Sequence, residues 1–198
     1  MDKRKIVIRR ARPGDLRSIH RLYESYMFDS HLSKMGSEFV KCYLQAIIGS
    51  ANCVTLVAED SGVTGFIMGT CDHGEIKYRL LRNPKIMSEW FRKLLREPSI
   101  ALKTLALIMY PFLSYVRGVK AELLYISIDP EYRGKKVATV LIDATLEAMR
   151  DKKVEDVKVS TLAKNLVVNE LLKKRGFVKK RVFRLFGKDM ILYTHKLR

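Results

Sequence analysis

The sequence predicts an α/β fold: a central mixed β-sheet flanked by helices, with a helical insertion between the third and fourth strands. The first observation is that apolar residues alternate between a spacing of two, typical of strands, and a spacing of three or four, typical of helices. The second is that strands and helices alternate in the second half of the chain. Because strand–helix–strand connections join parallel strands, the sheet should hold at least one parallel pair.

The individual elements follow in chain order. Strands are predicted over 5–10, 53–59, 63–70, 121–128, 154–161, 177–186 and 190–196. Helices are predicted over 16–27, 37–48, 86–95, 99–116, 134–151 and 165–174. Turn residues mark their ends, since Pro13 precedes the first helix, Gly49 closes the second and Gly62 completes a hairpin turn. The simplest organisation is a single domain over 1–198, with 74–118 as the insertion.

The charge balance is the unusual feature of the composition. There are 38 Lys+Arg against 21 Asp+Glu, a formal net charge of +17. Such a surface attracts polyanions, whether nucleic acid, anionic lipid or a phosphorylated cofactor, and a merely solvated basic surface is equally open. Nucleic acid is not expected as a partner, because the chain has no RNP motif, zinc-finger pattern or helix-turn-helix spacing.

Cysteine and histidine spacing favours a reduced, metal-free protein. The three cysteines show no CxxC or Cys/His pattern and lie in apolar surroundings: Cys42, Cys53 and Cys71. Among the four histidines, His20 is assigned to a helix face and the others to loops or a terminus: His31, His73 and His195. No metal site is expected. The basic N-terminus runs straight into a strand without an apolar signal region, so a cytoplasmic location is predicted.

The apolar stretch 99–116 has two readings. It is interrupted by Lys103 and Pro111 and is shorter than the ~20 residues that a membrane span needs. It is therefore either a buried or lid helix, or an interfacial helix that docks on a membrane surface.

One strand–turn–helix segment has the properties of a phosphate-binding site. The predicted strand that ends at Ile128 turns through Asp129 and Pro130 into a helix that opens with Gly134. Free backbone N–H groups and the helix dipole bind phosphate at such a point without a special side chain. Gly134 allows close approach of a ligand, and neighbouring basic residues add charge: Arg133, Lys135 and Lys136.

This segment resembles the acetyl-CoA signature of the GCN5-related N-acetyltransferase (GNAT) superfamily, Arg/Gln-x-x-Gly-x-Gly/Ala, aligned on 133–138. The resemblance implies an acyl-CoA N-acyltransferase fold with acetyl-CoA as cosubstrate. It implies that the preceding strand serves the pantetheine and thioester through Ile126, Ser127 and Ile128. It also implies that the turn holds the pyrophosphate through Arg133, Gly134, Lys135, Lys136, Val137 and Ala138.

The match has one departure and one independent support. Lys136 stands where the family has Gly, and a residue there with helical dihedrals could still donate its N–H. The family's Asn at the start of the next helix, followed by Gly-Phe, corresponds to Asn165, Gly176 and Phe177. Each residue alone has an ordinary explanation as a helix cap. The resemblance spans the chain except for 74–118.

Acetyl transfer to an amine needs a base, an oxyanion donor and an acid for the leaving thiolate. The resemblance to histone-acetylating relatives places a base at Glu122, which as a bare residue is equally a solvated strand end. It places the oxyanion donor at a backbone N–H near Ile128. The family's usual acid, a Tyr, is replaced by Leu172, and a Glu of the ribosomal-protein-acetylating relatives is replaced by Ser160. The acid is then a Tyr from elsewhere in the chain, such as Tyr125, or water.

The resemblance therefore implies an N-acetyltransferase that acts by direct attack in a ternary complex, without a cysteine nucleophile. A primary amine of a small molecule, such as an amino sugar, is the first acceptor class, and a protein α-amino group or lysine is the alternative. A catalytically degenerate acyl-CoA-binding module also stays open, as does a homodimer.

Overall fold

The computed structural model describes residues 6–27, 30, 32–97 and 109–197. Its centre is a seven-stranded mixed sheet in the order β1-β2-β3-β4-β5-β7-β6. The strands are β1 (Val7–Arg10), β2 (Cys53–Glu59), β3 (Val63–Thr70), β4 (Ala121–Ile128), β5 (Asp156–Leu162), β6 (Val178–Leu185) and β7 (Lys188–Lys196). The helices are α1 (Leu16–Tyr26), α2 (Ser37–Ile48), α3 (His73–Leu81), α4 (Pro84–Arg96), α5 (Val137–Asp151) and α6 (Leu166–Lys174).

Two apolar cores cover the two faces of the sheet. On one face, Leu141, Ile142 and Met149 of α5 pack against β2, β3 and β4. On the other face, α1 and α2 contribute their apolar stripes, with Leu22 and Leu44 fully enclosed. β3 is buried along its whole length because helices cover it on both faces, so its sequence does not alternate between apolar and charged residues.

The strand pairing confirms the predicted mixed sheet. β4 and β5 run parallel, joined by the crossover helix α5, whereas the other five neighbouring pairs of the described sheet are antiparallel. The α1 and α2 helices and the strands 53–59, 63–70 and 121–128 also lie where the sequence predicts them.

The insertion between β3 and β4 is helical, as predicted, but its first helix begins at His73, before the first helix predicted there, 86–95. Helix α3 was not predicted, and α4 extends the expected helix at both ends. The start of α3 is stabilised by Asp72, whose carboxylate accepts from Gly74 N at 2.8 Å and from Glu75 N at 3.4 Å. Of the predicted helix 99–116, residues 109–113 are helical and 114–116 are not, whereas 99–108 lie outside the described residues.

In the part of the chain that the structure describes, no helix combines the length and the apolar character needed to cross a bilayer.

Candidate active site

The sheet opens between β4 and β5. Their parallel pairing ends at Leu123 and Val159, although the strands continue to Ile128 and Leu162. The cause lies on the β3 side, where Gly69 pairs with Leu123 and Met68 pairs with Tyr125. Leu124 is therefore the extra residue of a β-bulge, which bends β4 away from β5. We call the resulting wedge-shaped gap the β4/β5 opening, with its apex at the Leu123–Val159 pair.

Two backbone N–H groups of β4 face this opening. Asp129 N donates to Thr64 O at 2.8 Å, so its N–H points toward β3. Because N–H directions alternate along an extended strand, the N–H groups of Ile126 and Ile128 point the other way. The opening thus has hydrogen-bond donors along one wall.

The turn after β4 leads to the N-terminus of α5. Gly134 has φ +77°, and Lys136 has φ +63° and ψ +10°, both in the left-handed region. The expectation that Lys136 keeps helical dihedrals is wrong, and so is the predicted helix start at 134, because α5 begins at Val137. Lys136 instead adopts a backbone conformation that favours glycine, the residue the family has there.

Free donors cluster where α5 begins. The first intrahelical bond shown at this end runs from Val140 N to Lys136 O at 3.1 Å. By helix geometry, the N–H groups of Val137, Ala138 and Thr139 have no intrahelical acceptor. These donors, together with the positive end of the helix dipole, form an anion-binding surface at the wide end of the β4/β5 opening.

The basic side chains of the turn are partly engaged with the protein. Arg133 Nε donates to Ile128 O at 3.1 Å, and its guanidinium lies 5.2 Å from the Tyr26 ring centroid. Lys135 Nζ lies 4.8 Å from the Tyr132 ring centroid. Both side chains are exposed, and their charge adds to the positive potential around the turn.

Glu122 lies at the apex of the opening and is only 2% exposed. Tyr110 OH donates to Glu122 Oε1, and His73 Nδ1 lies 3.1 Å from Oε2. The His73 contact lacks the alignment of a hydrogen bond. Lys158 Nζ is 3.7 Å from Oε2 and donates to Ser114 O at 2.9 Å. The reading of Glu122 as a solvated strand end is wrong.

Sequence reasoning missed three members of this cluster: His73, Tyr110 and Lys158. His73 was assigned to a loop, but it is the first residue of α3. The spacing of Asp72 and Glu75, three residues apart as in a capping box, could have indicated a helix start there. No local signal could have brought Tyr110 to Glu122, because the insertion folds back over the sheet.

Tyr125 belongs to a neighbouring aromatic cluster on the same face. Its ring centroid is 5.3 Å from that of Tyr23 and 6.1 Å from that of Tyr43, both edge-on. Burial, followed by the nearby Tyr43, raises the pKa of Tyr125 well above its ordinary value. Its hydroxyl therefore stays protonated at neutral pH.

The second motif of the resemblance is structurally well defined. Asn165 caps α6, its Oδ1 accepting from Val168 N at 3.3 Å. Gly176 has φ +77° after the end of that helix, and the Phe177 ring stacks on His195 with centroids 4.9 Å apart. Leu172 is 2% exposed in the core and offers no proton.

No group of three or more His, Cys, Asp or Glu side chains with metal-binding geometry occurs among the described residues. All three cysteines are free thiols: Cys42, Cys53 and Cys71. Burial raises the pKa of the Cys53 and Cys71 thiols.

Three solved structures that share this fold are named as acetyltransferases or as complexes with acetyl-CoA. The E. coli ribosomal-protein-S18-alanine N-acetyltransferase aligns with a TM-score of 0.62 at 11% identity, covering 98% of this chain and 94% of that one. Arabidopsis thaliana NAA60 in complex with acetyl-CoA aligns with a TM-score of 0.63 at 16% identity, covering 97% and 98%. Salmonella typhimurium yncA, with its cofactor acetyl-CoA, aligns with a TM-score of 0.64 at 14% identity, covering 98% and 94%.

At these identities the likeness establishes the fold alone, which is that of the acetyltransferases. The family itself is established by sequence, since the model of the Acetyltransferase (GNAT) family matches residues 16–177. The chain belongs to the GNAT acetyltransferase family. No curated protein sequence matches it significantly.

Proposed function

We propose that this protein transfers the acetyl group of acetyl-CoA to a primary amine. The observation that carries the proposal is the β4/β5 opening, which runs from the apex at Glu122 to the free N–H groups at the start of α5. Family membership supports the same reaction class. NAA60, which shares the fold, forms a complex with acetyl-CoA, and this also supports the proposal.

The chain's groups suit each part of acetyl-CoA. Ile126 and Ile128 would donate their N–H groups to the thioester end and the pantetheine arm, respectively. Ser127 holds β4 against α1 through a 3.4 Å hydrogen bond from its hydroxyl to Leu22 O. The pyrophosphate would lie against the turn, on groups from Arg133, Gly134, Lys135, Lys136, Val137 and Ala138. Asn165, at the start of α6, would border the β5 side of the opening.

The apex of the opening also fits an incoming thioester. Ser160 Oγ is buried near the Tyr110 hydroxyl and makes no well-aligned hydrogen bond among the described residues. Ser160 lies one residue beyond Val159, the last residue of β5 that pairs with β4. A ligand atom in the opening could therefore form a hydrogen bond with its hydroxyl.

Glu122 is the proposed general base. It would accept the proton that the neutral acceptor amine loses as its nitrogen attacks the thioester carbonyl directly in a ternary complex. A backbone N–H near Ile128 is the proposed donor to the developing oxyanion, and that of Ile126 is the one that faces the opening nearer its apex. Tyr125, whose hydroxyl stays protonated, is the tyrosine that the sequence suggested as the acid for the leaving thiolate.

For the acceptor we propose a small molecule with a primary amine, such as an amino sugar. The net charge of +17 disfavours a strongly cationic acceptor, because long-range repulsion slows the encounter. A protein α-amino group or lysine is the alternative, and the S18-alanine enzyme shares the fold.

A cytoplasmic location, a single domain and a homodimer stay predictions, as does membrane contact through 99–116.

A second candidate is a degenerate module that binds acyl-CoA without turnover. Leu172 favours it, because the family's acid is absent from that position. An assay of CoA thiol release from acetyl-CoA distinguishes the enzyme from the binding module. The acceptors tested are amino sugars, amino acids and peptides with a free N-terminus. We expect at least one amine to accelerate release; binding of acetyl-CoA without release on any amine would favour the module.

A further inference from the structure

The insertion places a tyrosine hydroxyl against the proposed base, in a chain that has Leu172 at the position of the family's tyrosine. Tyr110 lies between β3 and β4 in sequence, yet its hydroxyl donates to Glu122 Oε1. The inference that follows rests on the proposed function, and it concerns which group delivers the proton that the leaving thiolate needs.

Tyr110 lies at the apex of the β4/β5 opening. Glu122 immediately precedes the last residue of β4 that pairs with β5. Ser160 immediately follows the last residue of β5 that pairs with β4. The Tyr110 hydroxyl contacts Glu122 and has Ser160 as a neighbour. An arm that enters from the pyrophosphate turn ends where the paired strands close the gap. The sulfur of a bound thioester would therefore lie close to this hydroxyl.

Several contacts hold this part of the insertion on the sheet. Lys158 Nζ donates to Ser114 O at 2.9 Å and approaches Ser114 Oγ at 3.3 Å. From β6, Arg181 donates to the carbonyl oxygens of Leu113 and of Tyr115, the latter at 2.9 Å. These anchors fix the backbone on the C-terminal side of Tyr110.

Aromatic neighbours fix the Tyr110 ring itself. Its centroid is 6.3 Å from that of Phe183 and 6.0 Å from that of His73. Burial, followed by the Glu122 carboxylate, raises the pKa of Tyr110 well above its ordinary value. The hydroxyl is therefore a protonated, positioned donor rather than a phenolate.

We propose that Tyr110 of the insertion is the acid that protonates the departing CoA thiolate, and that it is coupled to Glu122 in one proton relay. The amine nitrogen forms its bond to the acetyl carbon as the carbon–sulfur bond breaks. Glu122 takes one proton from the amine, Tyr110 gives its hydroxyl proton to the sulfur, and Glu122 returns a proton to the Tyr110 oxygen. The net transfer is one proton from nitrogen to sulfur, so no further reactant is needed.

His73 lies on the solvent side of the buried carboxylate, since its side chain is 20% exposed and that of Glu122 is 2% exposed. Tyr125 is a weaker candidate than Tyr110 because its hydroxyl has Tyr43 and Tyr23 as neighbours, whereas the Tyr110 hydroxyl contacts Glu122.

The test is Tyr110→Phe, compared with Tyr115→Phe as a matched control on an exposed tyrosine five residues away. Each is assayed by thiol release with acetyl-CoA and the best amine of the panel. We expect Tyr110→Phe to lower kcat by roughly 10²-fold or more, with the Kd for acetyl-CoA unchanged. Tyr115→Phe should keep the kcat of the unaltered protein.

The coupling to Glu122 gives a second readout. If the two groups form one relay, the double variant Tyr110→Phe/Glu122→Gln should have a kcat only slightly below that of the slower single variant, because the effects of residues that act as a unit are not additive. A decrease in kcat equal to the product of the two single decreases would overturn the relay. If Tyr110→Phe melts below the assay temperature, Arg181→Gln replaces it, and the expected result is a lower kcat at the same acetyl-CoA Kd.

Two outcomes separate this inference from the proposed function. If the unaltered protein releases thiol and Tyr110→Phe does so within twofold of its rate, Tyr110 is not the acid. A loss seen in Tyr125→Phe instead would assign the role to Tyr125. No release by the unaltered protein on any amine would overturn the proposed function, and the assignment of Tyr110 with it.

Discussion

Replacing Lys136 tests the backbone of the pyrophosphate turn, and the informative quantity is the difference between Lys136→Gly and Lys136→Ala. Both variants remove the same charge, so their difference in unfolding free energy reports the backbone alone. Lys136 has φ +63°, where a side chain costs about 1–2 kcal/mol. Glycine avoids this cost but loses more chain entropy on folding, by roughly 0.5–1 kcal/mol. We expect the glycine variant to be more stable by about 0.5–1 kcal/mol.

A helical Lys136 would reverse the sign. Inside a helix, alanine is favoured over glycine by about 0.8–1.0 kcal/mol. For a chain of this size, 1 kcal/mol corresponds to about 2–4 °C in Tm, so urea unfolding and thermal melts both resolve the difference. An alanine variant as stable as the glycine variant, or more stable, would refute the left-handed conformation.

Three further results are expected. Glu122→Gln should lower kcat/KM by roughly 10²–10⁴-fold while leaving the acetyl-CoA Kd within about twofold; an unchanged rate would remove Glu122 as base. The Arg9 guanidinium holds the pKa of Asp15 below its ordinary value, so the stability that this pair adds is present above about pH 4 and is lost as pH falls through the folded-state pKa. The unfolding free energies of the unaltered protein and of Arg9→Met, measured as a function of pH, should therefore converge toward low pH. A difference in unfolding free energy that stays constant with pH would contradict the linkage. Because burial raises the pKa of the Cys53 and Cys71 thiols, a disulfide reagent should modify them slowly in the native protein and at once after denaturation; equal rates would contradict their burial.

Local patterns in the sequence predicted the elements that lie close to their own signals. The helix 37–48 and the strand 121–128 carry a clear apolar period with turn residues at their ends, and both begin and end as expected. Motif spacing predicted the strand–turn–helix order around Gly134 in the same way. These features depend on neighbouring residues, which is why they can be inferred without tertiary contacts.

Features that depend on distant contacts could not be predicted. The divergence of β4 from β5 arises from a bulge at Leu124 against β3, which is far away in sequence. The left-handed conformation of Lys136 is imposed by the turn against the preference of its own residue type. The approach of Tyr110 to Glu122 requires the insertion to fold back onto the sheet.

The insertion thus has a clear structural relation to the candidate site. It contributes His73 at its start, Tyr110 in its second half and Ser114 as an anchor for Lys158. A GNAT chain without a tyrosine at the position of Leu172 can therefore still place a phenol hydroxyl at the apex of the opening.

Calorimetric titration with acetyl-CoA, paired with a thermal melt, tests the central claim most directly. We expect one acetyl-CoA per chain. At a ligand concentration of about 100 times Kd, binding adds about 2.7 kcal/mol to stability, which raises Tm by roughly 5–10 °C at about 2–4 °C per kcal/mol. No heat of binding and an unchanged Tm at millimolar acetyl-CoA would contradict the assignment of the β4/β5 opening and the turn at Gly134 as the acetyl-CoA site.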